Sequence, residues 1–133
     1  VYRIDVAFSW DETTNPQDVA LVTKSLVYTL AIQNLMFLRY NPNTPQLSNS
    51  GVRYKAEKRR EQFYDIGVVL SQGHADCEDL CAWRIAELWF SNHEAWPHVI
   101  WFPSSETGLG YGLHVQVVTR YGIEDPSAML GMR

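Results

Sequence analysis

Asn15-Pro16 constrains this chain more than any other pair of neighbours. A cap residue followed by proline at the first helical position is a strong helix start. Val19, Val22, Leu26, Leu30 and Phe37 then recur at helical spacing, with more apolar residues between them. Asn41-Pro42 closes the pattern, because a residue before proline leaves the helical region. The spacing predicts a long, mostly buried helix ending near Tyr40. With 133 residues in all, the chain reads as one domain, 1–133, large enough to bury a core without disulfide staples.

The rest of the chain divides into segments of different period. Val1 to Trp10 alternates as a strand would, with Tyr2, Ile4, Val6 and Phe8 on one side. Residues 41–51 are rich in Pro, Asn and Ser and read as an ordered loop, and Phe63 to Leu70 as a short helix ended by Gly73. A second major helix opens at Asp76-Cys77 and runs through Leu80, Trp83, Ile85 and Leu88 to about Phe90. Asp76 is the expected N-cap, and Asp79 three residues on completes a capping-box-like pattern. His98 to Phe102 and Tyr111 to Arg120 are strand patterns joined by the loop 103–110, and Ile123-Glu124-Asp125 follows a turn around Tyr121-Gly122. Helices first and antiparallel strands afterwards predict an α+β domain, with the Cys77 helix packed on the sheet.

Composition narrows the function classes. Apolar residues make up 46% and charged residues 20%, and the net charge of −4 offers no footprint for nucleic acid or an anionic membrane. Lys55, Lys58, Arg59 and Arg60 form a basic run that Glu57 and Glu61 dilute, so it reads as a solvated face. The most apolar stretch, Ala20 to Leu38, is broken by Thr23, Lys24, Thr29, Gln33 and Asn34, so no membrane span is expected. The amino terminus has no charged-then-apolar leader pattern. With free thiols, that points to a cytoplasmic setting. The two cysteines, 77 and 81, would lie about 6 Å apart along a helix axis with parallel Cβ bonds, a poor geometry for a disulfide. Cys81 reads as a small core residue.

Chemistry concentrates at Cys77. Free N–H groups at a helix start favour a thiolate, the nucleophilic form, whereas Asp76, Glu78 and Asp79 oppose it by charge. A thiol enzyme needs an imidazole to take the thiol proton and a group to hold the imidazole's tautomer. His114 lies on a strand face with Gly112, Gln116 and Val118; glycines at 108, 110 and 112 leave room there for a substrate backbone. Asp125 depends on register. If 119–122 form the turn, Val118 pairs with Ile123, Gln116 lies opposite Asp125, and Asp125 becomes a same-face diagonal neighbour of His114 at roughly 7–8 Å between Cβ atoms. A tight turn at 121–122 puts Asp125 opposite Val118, and a three-residue turn flips the face and promotes Glu124. The plainer role for Asp125-Pro126-Ser127 is to start a turn.

Secondary candidates surround this set. Gln72 is a candidate oxyanion donor, and Trp96 or Trp101 a candidate wall of an acyl groove. His74 precedes the helix on a turn, and His93 and His98 read as rim residues. Histidine 74, Asp76 and Cys77 lack the paired spacing of a zinc site, so no metal or other cofactor is expected.

On these residues the chain resembles the transglutaminase-like superfamily, within the papain-like thiol enzymes. Three stretches carry the likeness: Gly73-His74-Ala75-Asp76-Cys77-Glu78-Asp79-Leu80, His114-Val115-Gln116-Val117-Val118, and Glu124-Asp125-Pro126-Ser127. The compact bacterial and phage members are the most similar, with Ser50-Gly51-Val52-Arg53-Tyr54 before the Cys motif and Leu130-Gly131-Met132 as the ending. The resemblance implies a papain-like core and a Cys77-His114-Asp125 triad acting on protein or peptide amides through a thioester. Water would resolve it in a hydrolase, or an amine such as lysine in a transglutaminase. It also admits a virion-associated setting. Larger eukaryotic relatives need calcium, but no dedicated calcium loop is visible here. The alternative is a catalytically silent binding or virion-associated domain that keeps the fold.

Overall fold

A computed structural model describes residues 3–56 and 62–133. Helix α1, Pro16–Tyr40, starts as the sequence dictates: the Asn15 side chain accepts the Gln17 N–H, and Pro16 occupies the first turn. It buries Val19, Thr23, Val27, Leu30, Ala31, Asn34 and Leu38, one stripe at three- and four-residue spacing. This helix is also long and apolar enough to cross a membrane, which the polar residues between Ala20 and Leu38 do not prevent. Here its buried stripe packs on the second long helix and the sheet.

A single 3-10 turn, Leu47–Asn49, interrupts the following loop, pinned where the Leu47 N–H reaches Glu87 at 2.6 Å. Strand β1, Arg53–Tyr54, pairs in parallel with β2, His74–Ala75. Between them lies α2, Ile66–Gln72, which starts three residues later than Phe63 because Asp65 caps it through the Val68 N–H. Gly73 ends it at φ 80, a left-handed conformation that turns the chain straight into β2. Helix α3, Cys77–Phe90, follows at once. The basic run around Lys58, Arg59 and Arg60 lies outside the described residues.

Three antiparallel strands complete the molecule: β3, Ala95–Pro103; β4, Tyr111–Thr119; and β5, Gly122–Glu124, with β4 central. A short helix α4, Pro126–Met129, closes the chain. The α+β prediction therefore holds. The first segment departs from expectation: residues 3–10 form no strand, and Ile4, Val6 and Phe8 stand in solvent. Among the described residues no strand offers hydrogen bonds to that segment, so its alternation alone does not order it.

Two apolar clusters meet at α3. One gathers Val27, Ala31, Cys81, Ile85, Val115 and Val117 against the sheet. The other gathers Leu38, Val52, Ile66, Leu80, Trp83 and Leu130 toward β1 and α2. Trp83 is fully buried.

Candidate active site

Three local devices place Cys77. The left-handed turn at Gly73, the β1–β2 pairing and the Asp76 cap on the Asp79 N–H together put the thiol in the first turn of α3. The capping box is only half formed. Asp79 does not reach back to its cap residue; its carboxylate accepts the Tyr64 N–H at 2.8 Å and holds the segment entering α2. Asp76, Glu78 and Asp79 are all buried beside the thiol.

Past the last β4–β5 pair, Val117–Glu124, α3 takes over the edge of β4. Cys81 donates its thiol proton to the Val115 carbonyl at 3.1 Å, so it satisfies a strand-edge acceptor as well as filling the core. The Val115 main chain also acts on Cys77, favouring its thiolate. One turn of α3 thus brackets the residue that follows His114.

The hairpin resolves the register question. Thr119 pairs with Gly122 and Val118 with Ile123, which leaves residues 120–121 as the loop and brings Asp125 to the face of His114. His114 Nε2 lies 2.8 Å from Asp125 Oδ2, and Gln116 donates to the same oxygen at 3.3 Å. Asp125 also accepts the Ala128 N–H and so caps α4; the turn role and the histidine role coexist. Burial works to raise the Asp125 pKa, but the hydrogen bonds from His114, Ala128 and Gln116 outweigh it and hold the carboxyl below its ordinary range. An ionised Asp125 only accepts, so Nε2 carries the ring proton and Nδ1 of the neutral ring is left as the acceptor.

The thiol itself rests in an unexpected state. Cys77 is 7% exposed. Burial first, then the charges of Glu78 and Asp76, push its pKa well above the ordinary thiol value. The dipole-assisted thiolate anticipated at a helix start is therefore overridden. Among the described residues no hydrogen bond joins Cys77 to His114; the Val115 main chain is what favours its ionised form.

The secondary candidates fare differently. Gln72 gives one of its two amide N–H groups to the His74 carbonyl at 2.7 Å, which ties the side chain to the turn before Cys77. Gly112 gives no room to a substrate: a Cβ there would meet the Phe102 ring at 2.7 Å, because that ring already covers it. Gly108 and Gly110 serve the β3–β4 loop at positive φ. Trp96 pairs with Val118 and Ile100 with His114, so Trp96 lies four residues, about 13 Å, along the strand from the site. Trp101 pairs with Leu113, on the face opposite to that of His114. Neither tryptophan sits beside the imidazole. Ile100, paired with His114, and Phe102, diagonal to it, share its face, and only the β3–β4 register reveals this. Among the described residues no three His, Cys, Asp or Glu side chains form a metal-holding group.

Comparison with known proteins finds no matching family model, curated protein or solved structure.

Proposed function

We propose that this chain is a Cys-His-Asp thiol enzyme of transglutaminase-like type with a papain-like core, acting on protein or peptide amides through a thioester. The observation that carries the reading is the 2.8 Å contact between His114 Nε2 and Asp125 Oδ2, made on a strand whose next residue adjoins Cys77. A neutral, buried thiol calls for general-base attack rather than a resting ion pair. Cys77 Sγ would attack the amide carbon while His114 Nδ1 takes the thiol proton, and Asp125 would stabilise the imidazolium. Collapse of the tetrahedral intermediate would break the C–N bond, with the departing amine taking the proton from His114. Water or a second amine then attacks the thioester and releases the thiol. Thiol–imidazole hydrogen bonds are commonly long before substrate binds, so their absence at rest is compatible with this course.

The Ser50–Tyr54 and Leu130–Met132 segments also support the reading, because they meet. The Tyr54 N–H bonds the Leu130 carbonyl at 3.0 Å, and Gly131, at φ 110, lies under the Arg53 guanidinium. One observation favours the alternative of a catalytically silent binding or virion-associated domain: the buried thiol with its raised pKa.

Exposure to p-nitrophenyl acetate near neutral pH, followed by peptide mass mapping, separates the two. The enzyme reading expects one acetyl group on Cys77, lost in His114→Ala. Absence of that adduct, or indifference to His114→Ala, would leave the silent domain as the reading. Adding a primary amine to the acylated protein then distinguishes transfer from hydrolysis.

A further inference from the structure

Tyr54 lies in a place that the triad does not account for. The β1–β2 ladder sets it opposite Ala75, two residues before Cys77, and the neighbouring Lys55 N–H bonds the Ala75 carbonyl at 2.8 Å. Its ring packs against the apolar cluster that contains Cys77 and is partly buried. One amide N–H of Gln72 is held by the His74 carbonyl, which ties that side chain to the turn entering α3.

We propose that the Tyr54 hydroxyl, together with the Cys77 N–H, donates to the oxyanion formed when Cys77 attacks a carbonyl. This rests on the thiol-enzyme reading and deepens it. The Cys77 N–H is at the start of α3, where no intrahelical acceptor exists for it. Burial, and next the negative charge that Cys77 would carry, followed by Asp76, Glu78 and Asp125, push the phenol pKa up. Tyr54 therefore keeps its proton through the neutral range and remains a donor. The same surroundings would repel a carboxylate from that position, whereas a neutral phenol adds no charge. The two donors would offset the repulsion that the acidic residues crowding the thiol exert on the oxyanion, which exists only during the reaction.

Tyr54→Phe removes one oxygen and leaves the ring in place. Two reactions of the same thiol separate the outcomes: alkylation by iodoacetamide, which forms no oxyanion, and acetylation by p-nitrophenyl acetate, which does. The expected result is an unchanged alkylation rate with acetylation slowed about 100- to 1,000-fold, the range for losing one oxyanion donor. His114→Ala, in contrast, should slow both. Equal acetylation rates in wild type and Tyr54→Phe would overturn the donor role while leaving the triad standing. A rise in both rates would mark Tyr54 as a cover over the thiol and overturn the role as well. If wild-type Cys77 is not acetylated at all, the thiol-enzyme reading falls and the Tyr54 role with it. Thermal unfolding of Tyr54→Phe close to that of wild type excludes a folding defect as the cause.

Discussion

At the scale of single residues, the two thiols behave as buried neutral groups. Burial is the largest cause in both cases, and nearby carboxylates reinforce it: Glu78 and Asp76 at Cys77, Asp125 and Glu78 at Cys81. Their folded pKa values stand well above the ordinary 9.0. The folded state therefore holds protons that the unfolded chain gives up. Stability from this source is complete below pH 9 and declines as pH rises beyond it toward the folded values. Urea unfolding followed from pH 8 to about pH 10.5 should show a midpoint that is level up to about pH 9 and then falls in wild type. Cys81→Ala, with one such thiol removed, should show a shallower fall, although its midpoint at pH 8 is lower for want of the Val115 contact. An equal slope in both proteins would contradict the burial account.

At the scale of elements, one hairpin loop decides the site. The β4–β5 pairing leaves Arg120 and Tyr121 as its connection, and a strand's faces alternate with every residue. One glycine inserted after Tyr121 would shift β5 by a residue and turn the Asp125 side chain away from His114. The expected outcome is a folded protein whose Cys77 acetylation drops to the level of Asp125→Asn. Two inserted glycines keep the face but move Asp125 along the strand, and should rescue little. Wild-type rates after the single insertion would show that Asp125 does not orient His114. Side-chain anchors to the main chain act in the same way at other junctions. Asn34 holds the Ile66 N–H at 2.9 Å where α2 begins, and Asp79 holds the Tyr64 N–H two residues earlier.

Across the whole molecule, the core lies between α1, α3 and the sheet, and residues 3–8 lie outside it. Ile4 is 88% exposed. Deleting residues 1–8 should therefore change the unfolding free energy by less than about 0.5 kcal/mol, as for surface changes in general. A larger loss in chemical denaturation would mean that this segment packs in solution. The sequence was most legible where a signal is local and complete. Asn15-Pro16 and the apolar spacing after it determined α1 to its first residue, and Asp76 with Gly73 determined where Cys77 would stand. The alternation of residues 112–118 determined that His114 and Gln116 share a face. Alternation misled at the amino terminus, where a strand needs a partner that periodicity cannot supply. Only the tertiary structure decided three further matters: which of three hairpin registers brings Asp125 to His114, that Phe102 fills the space over Gly112, and that the Cys77 thiol is neutral. Each depends on segments distant in sequence meeting in space. The charge state of a group follows from what surrounds it on every side, and neighbours along the chain are only part of those surroundings.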